Sequence, residues 1–278
     1  MDLFADFRKL VRPAYEGQTQ NRRLQLLKNT VRMMAAMSGL YVIRLSAPEV
    51  IRILGVGTND ADPLKQALTK LDSIFSQCQR SGIDMKTSVN ELVKIHETDK
   101  TTHCTVFLAW RILANKSPEL VGAATCSKFI DSQHISTQPN NLGANYDALS
   151  KFFNTYFYID TLCSKQKPAG KLLVLHALEF ALRKKLKGLI AFSFAGEQNR
   201  NATSENMFKS LKFKMYSGEE IEKSGNNILL VDGLTLYGKW VVKKVDDFSG
   251  LNDQIMSICT RSGLTERTKD NLIWRCPI

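Results

Sequence analysis

The stretch 155–194 constrains the fold of this chain most, because its hydrophobic pattern changes twice there. It begins with TYFYIDTLC and ends with LIAFSF, two apolar runs typical of buried strands. Between them, the polar turn SKQKPAG precedes an amphipathic helix that we expect to end at Gly188. The apolar face of this helix is formed by Leu172, Leu173, Leu175, His176, Leu178, Phe180 and Leu182. Strand, turn, helix and strand in this order predict a βαβ unit.

Apolar runs on both sides of this unit extend the predicted sheet. TVFLAWRIL and LVGAATCSKFI, separated by the turn ANKSPE, predict a hairpin. Upstream, 41–45 predicts a first strand, and 226–233 and 234–245 predict an antiparallel end to the sheet. Two helices are expected before the hairpin: one that opens at Asp62 and Pro63 and stops at Gly82, then SVNELVKIHE.

The chain divides into three predicted parts: a basic helical extension at 1–38, a main domain at 39–245, and a C-terminal helix and tail at 246–278. The extension places five apolar side chains on one helical face: Leu24, Leu27, Val31, Met34 and Ala35. Packing on its own domain is the favoured role of this extension, and contact with a partner or a polyanion is the alternative.

Composition excludes several classes of protein. The 278 residues include no run of about 18 apolar residues that would cross a membrane, and the N-terminus lacks the apolar region of a secretory signal. Six dispersed cysteines without a CxxC pair predict reduced thiols, no metal site and an intracellular location, cytoplasmic or nuclear. The net charge of +11 predicts attraction to polyanions without specifying which, and a solvated surface with no specific partner is equally compatible with it.

The turn at 164–171 is a candidate anion site. The first turn of a helix carries unpaired N–H groups and a partial positive charge of roughly half a unit, which suits a pyrophosphate. Gly170 permits close approach of the backbone, and Lys165, Lys167 and Lys171 add positive charge. An ordinary strand-to-helix loop with solvated lysines is the alternative explanation of the same residues.

The order of elements over about 100–245 resembles the GNAT superfamily of acyl-CoA-dependent N-acyltransferases. In that family an Arg/Gln-x-x-Gly-x-Gly/Ala turn binds the CoA pyrophosphate, and here Lys165, Pro168 and Gly170 occupy the three motif positions. The resemblance implies an α/β fold with a mixed, mostly antiparallel central sheet, a splayed strand pair and flanking helices, preceded by the N-terminal helical extension. It also implies acetyl-CoA as co-substrate and an amine as acceptor.

The same resemblance implies the site residues. The splayed strand would pair with the pantetheine arm through its backbone, and a later helix would contact the cofactor through Asn206. The implied cofactor-binding set is Leu162, Cys163, Ser164, Lys165, Gln166, Lys167, Ala169, Gly170, Lys171 and Asn206. The alternative reading of Cys163 as a nucleophile lacks an obvious base in the sequence.

Two positions depart from the family pattern in the later helix. Phe208 stands where many members have the tyrosine that protonates the leaving thiolate, and Lys212 stands where they have glycine. The catalytic residues therefore stay unassigned. The candidates for a general base are Tyr156, Tyr158, Asp160, Glu197 and His134, and His176 reads as a core histidine.

Three functions follow from these residues. The first is transfer of an acetyl group from acetyl-CoA to an amine by direct attack. The second is a GNAT-fold protein without catalysis that binds a ligand or serves a structural role. The third is a nucleic-acid-binding protein that uses the basic surface, although the chain carries no recognised reader motif. A polyanion or protein partner at the basic surface is compatible with all three.

Overall fold

The structure, a computed structural model, describes residues 24, 27–28, 31–32, 34–35, 38–55, 59–78, 89–111, 117–128, 155–194, 202–216 and 238–244. The predicted strand at 226–233, the tail at 246–278 and most of the N-terminal extension lie outside these residues. The three-part division of the chain therefore stays a prediction.

Seven strands and six helices make up the described part of the main domain. The strands are β1 Leu40–Ser46, β2 Thr105–Arg111, β3 Glu119–Lys128, β4 Tyr156–Ser164, β5 Gly188–Phe194, β6 Lys214–Tyr216 and β7 Gly238–Lys244. The helices are α1 Ala47–Leu54, α2 Pro63–Thr69, α3 Leu71–Cys78, α4 Val89–Thr98, α5 Ala169–Arg183 and α6 Ala202–Ser210, and a short 3₁₀ turn covers Lys100–Thr102.

The strands form one sheet in the order β1-β2-β3-β4-β5-β7-β6. Every neighbouring pair is antiparallel except β4 and β5, which run parallel and are connected by α5. The predicted βαβ unit and the β2–β3 hairpin are confirmed. Of the predicted antiparallel end, only β7 is described, and it runs antiparallel to β5 and to β6, a short strand that was not predicted. The fold class expected from the GNAT resemblance is confirmed as well: a mixed, mostly antiparallel sheet flanked by helices.

One face of the sheet is covered by α5, α6 and the helical residues before β1. The buried side of α5 includes Leu172, Leu173, Leu175, Leu178 and Leu182, whereas His176 of the predicted face is only half-buried. In the N-terminal segment, Leu27, Val31 and Met34 are buried in the same core, and Leu24 and Ala35 pack against it. The predicted apolar face of this segment therefore packs on its own domain.

The other face of the sheet is covered by α1 to α4. Their apolar side chains, among them Val50, Leu71, Phe75 and Leu92, form a second core against β1, β2 and β3. No helix in the described part of the chain is long and apolar enough to cross a membrane.

Three details of the predicted elements are wrong. The helix α1 was not expected, although Glu49 accepts hydrogen bonds from the Ser46 N–H and hydroxyl groups as in a capping box. The single helix expected after Asp62 is two helices that meet at Lys70. The helix before β5 ends at Arg183 and not at Gly188.

Gly188 has a different role, because it is the first residue of β5. A Cβ at this position would collide with the Lys243 carbonyl oxygen and lie 2.6 Å from the Tyr156 ring. The left-handed residue after α5 is Lys185, with φ 59°. Glycine is therefore required at 188 for close packing between strands and not for ending a helix.

Candidate functional site

The parallel strands β4 and β5 separate part of the way along. Their pairing runs from Tyr156 and Gly188 to Ile159 and Ala191, where the ladder ends. Beyond this point β4 continues to Ser164, paired on its other edge with β3. Past Ile159, the edge of β4 that faces β5 is no longer covered by that strand. This is the splayed strand pair that the resemblance implies.

Asp160 lies at the start of this opening, on a β-bulge. The pairing of β3 with β4 shifts between Thr125–Thr161 and Cys126–Ile159, which leaves Asp160 as the extra residue. A bulge bends its strand and redirects the side chain that it carries. The half-buried Asp160 carboxyl group accepts a hydrogen bond from the buried Ser127 hydroxyl, at 3.1 Å to Oδ2.

The environment of Asp160 favours its protonated form. Burial raises the pKa of Asp160 to about 8, the Ser127 hydrogen bond opposes this rise, and the charge of Glu91 adds to it. A carboxyl group with a pKa near the working pH can both accept and release a proton. Of the five base candidates, Asp160 therefore combines a suitable position with a suitable pKa.

Of the other four candidates for the general base, two lie in less favourable positions and two lie outside the described residues. Tyr156 and Tyr158 are buried on β4 within the paired part of the sheet. Glu197 and His134 lie outside the described residues. On α5, burial lowers the pKa of His176 to about 4, aided by the nearby Arg44 charge, so this side chain is neutral at physiological pH.

The turn between β4 and α5 carries the predicted anion site. Lys165 donates its N–H to the Val121 carbonyl at 2.8 Å, which fixes the start of the turn against β3. Ala169 donates its N–H to the Gln166 carbonyl at 2.9 Å. Within the described part of the chain, the N–H groups of Gln166 and Lys167 donate no backbone hydrogen bond in this turn, so they are candidate donors for an anion. The side chains of Lys165 and Lys167 are exposed beside them.

One donor of the helix terminus is already used by the protein itself. Gly170 donates its N–H to the Ser164 hydroxyl at 3.1 Å, and the same hydroxyl donates to the Gln166 carbonyl at 2.9 Å. Pro168, at the N-cap position of α5, has no N–H to offer. The turn therefore offers fewer free donors than the helix terminus alone would supply.

Helix α6 lies against this turn. A Cβ on Gly170 would be 3.1 Å from Met207 Sδ and 3.4 Å from Ser164 Cβ. Gly170 is thus required where α6, β4 and α5 meet. Asn206, the neighbour of Met207, is exposed on α6. Its predicted contact with a cofactor stays a prediction.

The two side chains before the turn point into different cores. Leu162 packs against the α5 core, whereas Cys163 is buried in the core beneath α1 to α4. Cys163 forms a disulfide with Cys78 at the end of α3, with their Cα atoms 5.7 Å apart. The expectation that all thiols are reduced is therefore wrong for this pair, because α3 packs directly on β4. A disulfide sulfur is not a thiolate, so the alternative reading of Cys163 as a nucleophile fails in this state.

The remaining described cysteines are inert by their surroundings. Cys104 and Cys126 are free and buried, and burial raises the pKa of Cys104 to about 12 and that of Cys126 well above its ordinary value. No cluster of His, Cys, Asp or Glu among the described residues is suited to a metal ion.

The structure describes both residues that depart from the family pattern, Phe208 on α6 and Lys212 two residues after its end. Phe208 is buried in the α5 core and its ring lies 4.9 Å from that of Phe213, so it is a packing residue. Lys212 has φ 57°, in the left-handed region where glycine is favoured. The backbone at Lys212 therefore adopts a conformation that glycine accommodates without steric strain.

Two residues of this site escaped the sequence interpretation. Ser127 contacts Asp160 from 33 positions away, and Met207 covers Gly170 from the next helix. Neither residue is close in sequence to the residue that it contacts. The Ser127–Asp160 contact follows from the register of β3 against β4, and the Met207–Gly170 contact follows from the packing of α6.

Comparisons with known proteins return no matching family model and no matching curated protein. Among solved structures, a protein described as a streptothricin acetyltransferase from Bacillus anthracis, in complex with acetyl coenzyme A, is 14% identical with a TM-score of 0.31. The match covers 52% of this chain and 65% of that one, so this chain spans less than two thirds of that protein.

Two further structures align over more of their length. An N-acetyltransferase from Staphylococcus aureus is 13% identical with a TM-score of 0.38, over 75% of this chain and 99% of that one. A ribosomal-protein-alanine N-acetyltransferase from Brucella melitensis is 16% identical with a TM-score of 0.39, over 64% and 94%. These values describe a distant likeness in arrangement, and the chemistry of the site rests on its own residues.

Proposed function

We propose that this chain is an acyl-CoA-dependent N-acyltransferase, with acetyl-CoA as donor, an amine as acceptor and Asp160 as the general base. The observation that carries the proposal is the position of Asp160 on the bulge where β4 and β5 separate. The uncovered edge of β4 suits the amide groups of a pantetheine arm, which would extend the sheet as a strand does.

The turn after β4 would receive the pyrophosphate of the donor. The N–H groups of Gln166 and Lys167 and the start of α5 supply donors and a partial positive charge there. Lys165, Lys167 and Lys171 supply full charges. Leu162, Cys163 and Ser164 would contribute through the backbone, Ala169 and Gly170 through close approach, and Asn206 from α6.

The reaction needs one base and a good leaving group. Most amines are protonated at neutral pH, so Asp160 would take a proton from the ammonium group, directly or through a water molecule. The amine nitrogen then attacks the thioester carbonyl carbon, the new C–N bond forms, and the C–S bond breaks. The nitrogen loses its second proton to the departing thiolate or to solvent, which leaves the amide and CoA. An alkyl thiol such as that of cysteine has a pKa of about 8.5, so the CoA thiolate leaves without a dedicated acid. The buried Phe208 is compatible with this chemistry.

A GNAT-fold binding or structural protein without catalysis is the second candidate. The observation that favours it is the Ser164 hydroxyl, which already occupies the Gly170 N–H at 3.1 Å. A site whose donors are used internally binds a pyrophosphate less tightly, because the ligand must displace a formed hydrogen bond.

Calorimetry with acetyl-CoA and with CoA separates these candidates, together with thiol release measured on a panel of amines that differ in pKa. Binding with turnover supports the transferase. Binding without turnover on any amine supports the second candidate. Absence of binding overturns the transferase and a CoA-binding role, and leaves only a structural role for this fold. Since acyl-CoA is an intracellular metabolite, we propose an intracellular location, cytoplasmic or nuclear. We also propose that the main domain at 39–245 carries the activity, with 1–38 and 246–278 as additions.

A further inference from the structure

The C-terminal end of α5 gathers positive charge around one aromatic ring. The guanidinium carbon of Arg44 lies 5.0 Å from the centre of the Phe180 ring, that of Arg183 lies 5.7 Å from it, and Lys184 Nζ lies 5.7 Å from it. We call Arg44, Arg183 and Lys184 the cationic cluster. Because each head group lies within 5.7 Å of one point, any two of them lie within twice that distance.

The cluster is exposed and is built on regular elements. Arg44 comes from β1, Arg183 is the last residue of α5, and Lys184 follows it, and all three side chains are exposed. Phe180 itself is only 5% exposed, so the ring serves as a platform beneath the cations and not as a surface for a ligand. Cation–π contacts hold each head group at the ring face.

The cluster and the charged groups around it together carry more positive than negative charge. Lys28 and Arg32 lie close enough to act on Glu179, and Lys128 acts together with Lys184 on His103, whose ring lies 6.3 Å from that of Phe180. Three acids of the described part of the chain interact with these groups: Glu179, Asp99, and Glu49, whose charge interacts with that of Arg44. Glu179 is buried and lies 3.4 Å from Arg183, so it balances only one of these cations.

This cluster is separate from the proposed acyl-donor site. Helix α5 has 15 residues and a rise of about 1.5 Å per residue, so its two ends lie roughly 22 Å apart. The turn at 164–171 lies at its N-terminal end and the cationic cluster at its C-terminal end. The phosphates of a donor bound at the turn therefore leave the cluster unoccupied.

We propose that the cationic cluster docks the phosphate backbone of a nucleic acid. Like charges held this close repel one another, and a strand that carries one negative charge per about 3.4 Å places several phosphates within the span of the cluster. Guanidinium groups bind phosphate oxygens through two parallel hydrogen bonds. A protein carboxylate reaches such a charge density only in acidic runs. The net charge of +11 would speed the encounter over a longer range.

The binding is expected to be independent of base sequence. Phosphate contacts position a protein on nucleic acid without reading bases, and stacking requires an exposed aromatic ring. Phe180 is covered by its own cations, so this cluster offers neither a base contact nor a stacking surface.

The test compares two double variants, each of which loses two positive charges, from opposite faces of the sheet. Arg44→Gln/Lys184→Gln removes two members of the cluster and leaves the Arg183–Glu179 pair intact. Arg52→Gln/Lys94→Gln removes two exposed cations from α1 and α4, on the other face of the sheet. Fluorescence anisotropy measures binding of a labelled strand and a labelled duplex of mixed sequence, each about 20 nucleotides long, over a series of salt concentrations. No acyl-CoA is needed, so the result does not depend on the proposed enzymatic activity.

We expect the cluster variant to lose roughly tenfold or more in affinity, and its slope of log affinity against log salt to fall by roughly 1.4 for the strand and 1.8 for the duplex. The Arg52→Gln/Lys94→Gln variant should stay within about twofold of the wild type, because its cations contact no phosphate. Equal losses in both variants, or no salt-dependent binding, would overturn the proposal. Tighter binding to anionic phospholipid vesicles or to polyglutamate, lost in the same variant, would assign the cluster to another partner and overturn it as well.

Discussion

Ser164 and Gly170 are joined by a hydrogen bond that closes the turn in front of α5. The Gly170 N–H donates to the Ser164 hydroxyl at 3.1 Å, and that hydroxyl is oriented by its own donation to the Gln166 carbonyl. The hydroxyl thus takes the place that an anion oxygen would take at a free helix terminus. This hydrogen bond therefore stabilises the turn and at the same time lowers its affinity for an anionic ligand.

Ser164→Ala should tighten binding of CoA while it lowers stability. Removal of the hydroxyl frees the Gly170 N–H for a phosphate oxygen, and a net hydrogen bond is worth about 0.5–1.5 kcal/mol, or roughly two- to tenfold in affinity. The lost cap should lower the free energy of unfolding by about 1 kcal/mol. Calorimetry and chemical denaturation measure the two effects. Weaker CoA binding in a folded variant would mean that the hydroxyl contacts the ligand itself.

Gly170→Trp should abolish CoA binding, because the indole ring would fill the space in front of the helix terminus. The same ring collides with Met207, so the single variant also risks misfolding. Gly170→Trp/Met207→Ala removes this collision and keeps the test independent of folding.

The control for this pair is Met207→Ala alone, which should bind CoA within a few-fold of the wild type. Circular dichroism establishes whether each variant is folded. Unchanged CoA affinity in a folded Gly170→Trp/Met207→Ala protein would show that the pyrophosphate binds elsewhere.

The βαβ unit was predictable because a strand, a helix and a strand each carry their own period within one stretch of sequence. The short helix α1 was missed, because it follows β1 directly and its signal lies in one capping pair, Ser46 and Glu49. Contacts between residues far apart in the sequence could not be predicted, because no local sequence pattern indicates them. The Ser127–Asp160 hydrogen bond depends on a bulge in the register of β4, and the Cys78–Cys163 pair joins positions 85 residues apart.

The position of the cationic cluster also could not be predicted from the sequence, because it depends on contacts between distant residues. A net charge of +11 is visible in the composition, but its concentration around Phe180 depends on β1 bringing Arg44 to the end of α5. The turn with Gly170 and its lysines does lie between β4 and α5, and its role as an anion site stays a prediction. The internal use of its donors by Ser164 required the geometry of the turn.

Asp160→Asn should lower kcat/KM by about 10²–10⁴-fold, the usual contribution of a general base. In the wild type, kcat/KM should rise with pH through a midpoint near the Asp160 pKa of about 8, because the base must be deprotonated. Ser127→Ala should move this midpoint upward, since the Ser127 hydrogen bond lowers the pKa of Asp160. A pH profile unchanged in both variants would exclude Asp160 as the base.

Stability provides the control for Asp160→Asn. The folded pKa of about 8 lies above the ordinary value of 3.8, so the folded state binds more protons between these values. Wild-type stability should therefore fall as pH rises from about 4 to about 8. The asparagine variant should lack this slope and be more stable at pH 8, by roughly 1–4 kcal/mol. An inactive but more stable variant separates a catalytic role from a structural one.

Lys212→Gly should raise the free energy of unfolding by about 1 kcal/mol. The lysine adopts φ 57°, where a Cβ costs roughly 1–2 kcal/mol and glycine incurs no such cost. Lys185→Gly, at φ 59°, should act in the same direction, whereas its neighbour Lys184, with φ −82°, offers no strain to relieve. Denaturant unfolding of all three variants checks the expectation. A gain at Lys184→Gly equal to the other two would attribute the effect to lost charge and not to backbone conformation.

Reduction of the Cys78–Cys163 disulfide should lower the free energy of unfolding by roughly 4–5 kcal/mol, the value expected for a loop of this length. The bond joins α3 to β4 across 85 residues, so it restricts the unfolded chain over much of the main domain. Denaturant unfolding with and without a dithiol reductant measures the difference. Cys78→Ala/Cys163→Ala should match the reduced protein and lose its response to reductant. Cys104 and Cys126 are free and buried, so Cys104→Ala should keep that response. A wild-type protein whose stability is indifferent to reductant would show that the two thiols stay unpaired in solution.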